Sequence, residues 1–195
     1  MVMLIAVAAG FIAGALRAGV LKRKMRSVHI RHIWLVFLAY LPQFFAFYLP
    51  ATRMVFPDTW VPPVLVISQA LLLVFAWQNR RVPGFTLLGL GLLANFLVIC
   101  LNGGMMPLTP QTADRLIAPG SQVELQVGER AGYTKDILLA KEDTRLWFLG
   151  DIFTLPDWMN YRLAFSIGDI LISMGAFWLL WELGGPRKFK REVSP

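Results

Sequence analysis

The sequence predicts an all-α membrane protein with five transmembrane helices, its N-terminus outside, its C-terminus inside and one long outer loop between helices four and five. Three observations predict this. Of the 195 residues, 56% are hydrophobic and 16% charged, below the roughly 25% charged residues of soluble domains, and mean hydropathy is +0.57. The apolar residues gather into five runs of about membrane-crossing length. The basic residues are placed unevenly between those runs. Residues 17–32 hold six Lys/Arg, Arg80 and Arg81 follow the third run, and the tail 184–195 holds four, whereas the outer loop 104–162 carries six basic and eight acidic residues. Basic loops stay on the cytoplasmic side, so this alternation fixes the orientation. It also accounts for the net charge of +7 without nucleic acid.

The elements follow in order. Residues 2–18 form the first span, ended by Arg17 and the cluster Lys22, Arg23, Lys24, Arg26 and Arg31. A signal peptide carries its charge before the apolar run; here it comes after, which points to an uncleaved span. Ala6, Gly10, Gly14 and Ala18 recur every four residues, a small stripe that lets another helix approach closely. Its expected partner is a helix of the same chain, with a membrane protein partner or a second copy as the alternative. The second span, 33–50, contains Pro42, which should kink it and free backbone groups. Pro62-Pro63 opens the third span, 62–79, where proline suits a first turn. The fourth is 84–103.

The loop 104–162 is too polar to cross. Thr109-Pro110 signals a short helix to about Ala118, stopped at Pro119-Gly120. Val123, Leu125 and Val127 alternate with polar residues, which suggests a strand turning at Gly128 to Gly132. Leu146 to Leu155 is apolar but short, so it should lie in the interface or fold back over the bundle. The last span, 163–183, ends at Gly184-Gly185-Pro186 before the basic tail. The whole is one integral membrane domain.

Polar residues inside spans are costly and therefore informative. Gln43, Gln69, Asn95 and Asp169 each fall six or seven residues from the outer end of their span, ~9–11 Å deep at ~1.5 Å per residue. Ser166, Asp169 and Ser173 share a face of the last span, and Gly91, Asn95 and Asn102 share one of the fourth. If those faces meet, Asn95 bonds the Asp169 carboxyl, with Gly91 and Gly168 allowing close contact. Two readings follow. One is an outward-facing polar pocket formed by these residues, rimmed by Asn102, Gly103 and Gly104 and capped by the long loop with Asp151. The other is structural packing, since amides commonly join helices by hydrogen bonds. Asp151 needs a partner in so apolar a segment, and Arg145 and Arg162 are nearest.

No nucleotide-binding glycine pattern, G-x-S-x-G or HExxH motif occurs. His29 and His32 sit together in the first basic loop and Cys100 lies alone in an apolar run, so neither a metal site nor a cofactor is expected. Met105, Met106 and Met159 fit irregular packing better than a soft-metal site.

The words NGGMMP (Asn102 to Pro107), DTRLWFLGDIF (Asp143 to Phe153) and FSIGDILI (Phe165 to Ile172) resemble a bacterial multipass membrane family, domain of unknown function 5317. The resemblance covers nearly the whole chain and implies the bacterial cytoplasmic membrane and this span arrangement; it carries no activity. The expected function is a non-catalytic membrane binding or accessory protein with the outward polar pocket. The alternative is a transport-related protein for a small molecule, lipid or ion, with Asp169 as ionisable centre. An intramembrane enzyme comes third.

Overall fold

A computed structural model describes residues 2–117, 125–159 and 161–185. The chain is mostly helical. It runs through α1 (Val2–Val20), α2 (Trp34–Gln43), the short α3 (Pro50–Arg53), α4 (Val61–Gln78), α5 (Phe85–Leu101), α6 (Pro110–Leu116) and α7 (Ile167–Leu183). Two helical stretches, Val2–Val20 and Asp58–Gln78, are long and apolar enough to cross a membrane. The apolar helices Trp34–Tyr48 and Phe85–Leu101 are shorter.

Helix packing follows small residues. The most extensive contacts run α1 to α7, α7 to α5, α5 to α4 and α4 to α2. The stripe on α1 lies against α7: Gly10, Gly14 and Ala18 are buried, and a Cβ on Gly10 would come within 2.9 Å of the Phe177 backbone. Between the antiparallel α5 and α7, Gly84 and Gly91 face Gly175 and Gly168, so backbone meets backbone. The outward faces carry large exposed apolar side chains, among them Leu4, Phe37, Ile67, Trp77 and Leu90. Exposed apolar surface on this scale marks a protein–protein or membrane interaction surface.

Pro42 lies inside α2, near its end. α2 passes into a π turn at Phe44–Tyr48, and Ser68 of α4 donates to the nearby Ala39 carbonyl at 2.8 Å.

At one end the helices are covered by a cap built from residues beyond α5. Its centre is β1 (Met106–Leu108), parallel to β2 (Asp136–Leu138). β3 (Phe153–Thr154) pairs antiparallel with β4 (Ala164–Phe165). These small sheets depart from the all-α expectation, because backbone near the ends of α5 and α7 finds partners in the loop before it reaches a helix. For the same reason α7 begins at Ile167, four residues later than the sequence suggests. α6 has the expected start, with the Thr109 hydroxyl accepting from the Thr112 N–H at 3.3 Å. Its expected stop at Pro119-Gly120, Val123 of the expected strand and the basic tail from Pro186 lie outside the described residues. Leu125 and Val127 are not in a strand; the turn at Gly128 and Gly132 is present, both with positive φ. The hairpin docks on the segment before α4 through the Arg130–Asp58 ion pair at 2.5 Å. Met105 and Met106 are buried with Val61, Leu65, Val98 and Ile99 beneath the cap.

Candidate functional site

The capped end gathers most of the polar residues that the sequence singles out, beginning with the first turn of α7. Ser166 precedes the helix with extended backbone, and its hydroxyl accepts from the Asp169 N–H at 3.1 Å. Asp169 returns the contact by accepting from the Ser166 N–H at 3.1 Å. Each residue satisfies an amide that a helix start leaves open. Asn95 of α5 completes the ring. Its Oδ1 accepts from the Ser166 hydroxyl at 3.0 Å, and its Nδ2 donates to Asp169 Oδ1 at 3.0 Å. The helices meet closely enough because Gly91 and Gly168 have no Cβ: one on Gly91 would lie 2.8 Å from the Ile172 nitrogen. Both Asp169 oxygens are therefore committed within the chain.

The second group is the N-G-G turn. Asn102 is buried and ends α5. Its Nδ2 donates to the Val98 carbonyl at 2.7 Å and the Arg145 carbonyl at 2.9 Å, and its Oδ1 accepts from the Arg145 N–H at 2.9 Å. Gly104 has φ +81°, a conformation that favours glycine, and a Cβ there would come within 2.6 Å of Pro62. Gly103 also has positive φ, with open space around it.

The third group lies along β1. The Met106 N–H donates to the Lys135 carbonyl at 3.1 Å and the Asp151 N–H to the Pro107 carbonyl at 3.0 Å. This brings the Lys135 ammonium 2.6 Å from Asp151 Oδ2 and 2.9 Å from Asp136 Oδ1. Asp151 is 1% exposed, and its Oδ1 is enclosed without a hydrogen-bond partner. Burial raises its pKa to about 7, although Lys135 acts to lower it. Burial also works against the charge of Lys135, but Asp136 and Asp151 outweigh it and hold the ammonium well above its usual value. The result is a carboxyl that titrates near neutrality beside a fixed cation, a pattern associated with functional sites.

The expected partners of Asp151 are thereby corrected. Arg145 contributes its backbone to Asn102. Arg162 donates to the carbonyls of Arg115 and Ile117 at 3.0 and 2.6 Å. Lys135 takes the place, and nothing in the sequence singles it out, because 16 residues separate it from Asp151.

The remaining candidates lie apart. Gln43 ends α2 half-buried, and Gln69 of α4 is half-buried with its Oε1 enclosed and unpartnered. Among the described residues, no hydrogen bond joins either glutamine to the Asn95 ring. Ser173 is buried along α7, with its hydroxyl also unpartnered.

The model of a family described as "Family of unknown function (DUF5317)" matches residues 27–181. A curated relative, an uncharacterised protein of Thermotoga maritima, is 27% identical over 118 residues, which is 60% of this chain and 62% of the relative. The chain thus spans less than two thirds of that relative's length. No solved structure matches the chain.

Proposed function

The chain belongs to the DUF5317 family of unknown function, and from that premise we propose that it is a multipass protein of the bacterial cytoplasmic membrane acting as a non-catalytic binding or accessory subunit. The proposed topology has five spans with the N-terminus outside and the C-terminus inside. Its support is the clustering of basic residues at one end of the helices together with the exposed apolar faces. α7, with 17 residues, reaches ~26 Å at ~1.5 Å per residue, near the thickness of a hydrocarbon core. The cap then lies on the outer side.

One observation carries the accessory reading: the polar groups at the capped ends of α5 and α7 are spent on fastening helices and cap together. Asn95, Ser166 and Asp169 bond one another, and Asn102 bonds the Arg145 backbone. A transport-related role centred on Asp169 would need that carboxylate to be available. Asp151 has the free oxygen instead, so the ionisable centre of the proposed binding surface is in the cap.

Purification of the full chain with native lipids, followed by native mass spectrometry, tests the proposal. The expected result is a stoichiometric membrane complex that persists in Asp169→Asn. A non-lipid ligand released from the wild type and lost from Asp169→Asn would instead favour the transport-related role.

A further inference from the structure

The end of the helices opposite the cap encloses a cavity of about 510 Å³, lined by Arg23, Lys24, Arg26 and Ser27 and walled by Leu179 and Leu183. We propose that this cavity binds a phosphate-bearing anion, either the headgroup of an anionic lipid or free phosphate.

Arg26 is held to the end of α7 at two points. Its N–H donates to the Leu183 carbonyl at 2.9 Å, and its Nη2 donates to the Glu182 carbonyl at 2.5 Å. The loop is thereby pinned to the end of α7, with the guanidinium built into the cavity wall. Arg26 Nε is enclosed and has no acceptor. A buried donor left open is costly, and a guanidinium edge matches the oxygens of a phosphate.

Charge points the same way. Among the described lining residues Glu182 is the one carboxylate, and it is shared between Arg26 at 4.0 Å and Arg17 at 3.9 Å. Arg23 and Lys24 add two further cations to the rim. The carbonyl end of a helix normally repels anions. Here Arg17 and Arg26 already donate to the Trp181 and Glu182 carbonyls, which blunts that repulsion. An apolar wall beside clustered cations suits a headgroup with its acyl chain attached. The lipid source rests on the membrane reading above; the phosphate site rests on the cavity alone.

The test places the full chain in phosphatidylcholine nanodiscs with and without phosphatidylglycerol and counts retained lipid by native mass spectrometry. Retention of phosphatidylglycerol should fall roughly tenfold or more in the Arg23→Gln/Lys24→Gln double variant and hardly change in Lys22→Gln, an exposed neighbour outside the lining. In a second arm, inorganic phosphate is added to phosphatidylcholine discs and thermal unfolding is followed. A rise in Tm that the double variant abolishes assigns the site to the free ion, whereas selective lipid retention without that rise assigns it to the headgroup. If neither occurs, or if Lys22→Gln loses as much as the double variant, the proposal is overturned. All three substituted residues are exposed, so the variants should fold, and the unfolding curves check this directly.

Discussion

Asn102 holds both backbone groups of Arg145, accepting from its N–H and donating to its carbonyl, each at 2.9 Å. Asn79 does the same to Arg31 at the other end of the helices, at 2.8 and 3.0 Å. Both side chains also donate to the carbonyl four residues back, Val98 and Phe75, at 2.7 and 2.9 Å. Helix ends leave such carbonyls open. Consecutive helices α4 and α5 therefore each terminate in a buried asparagine that anchors a distant loop. One anchors the basic segment and the other the cap.

Asn102→Ala should accordingly loosen the cap without dissolving the helices. It strands the two Arg145 backbone groups at a part-buried site, a loss of about 2 kcal/mol. Hydrogen exchange at residues 145–154 should accelerate while α1 stays protected. Asn79→Ala should do the same around Arg31, and the two losses should add because the sites are remote. Unchanged exchange at residues 145–154 in Asn102→Ala would remove the anchoring role.

The glycine contacts predict a sharp contrast among similar substitutions. A Cβ on Gly168 would overlap Asn95 Oδ1, and one on Gly14 would overlap the Leu180 carbonyl. Both helix pairs would have to separate, so Gly168→Ala and Gly14→Ala should each cost about 2 kcal/mol or more. At Gly19, also in α1, a Cβ would meet nothing within 4 Å. Gly19→Ala should be neutral or stabilising by up to about 1 kcal/mol through helix propensity. Thermal unfolding of the three variants in one detergent ranks them; equal effects would mean that helix–helix distance is not set by these glycines.

Local pattern made the apolar helices legible, and a few spacings made part of the site legible. Asn95 and Asp169 pair because helical periodicity placed each on a small-residue face, and Gly91 and Gly168 mark the close approach. Depth along a span was a poorer guide. Gln43 and Gln69 share the counted depth but not the ring, since α2 and α4 lie at the other side of α5 in the packing order. Asp169 itself is in the first turn of α7, because β4 consumes the residues that would have lengthened the helix. The Lys135–Asp151 pair was hidden for another reason. It depends on β1 being bordered by chain segments from both sides, a non-local arrangement with no periodic trace.

That pair makes the final prediction, a stability that depends on pH in a defined direction. Asp151 is raised by burial from the usual 3.8 to about 7. Between those values the folded chain holds a proton that the unfolded chain has released. The contribution of this group is therefore fully present below about pH 4 and is lost as pH rises through about 7. Lys135, raised by Asp136 and Asp151 against the opposing effect of burial, stays charged throughout that window and loses its contribution only in the alkaline range. Asp151→Asn removes the first titration while keeping an oxygen to accept from Lys135. Relative to wild type, Asp151→Asn should gain stability steadily between pH 4 and pH 7, the window set by the Asp151 shift. Unfolding measured across that window in nanodiscs gives the difference directly. A constant offset between the two proteins would mean that Asp151 remains ionised against Lys135, so that the ion pair prevails over burial.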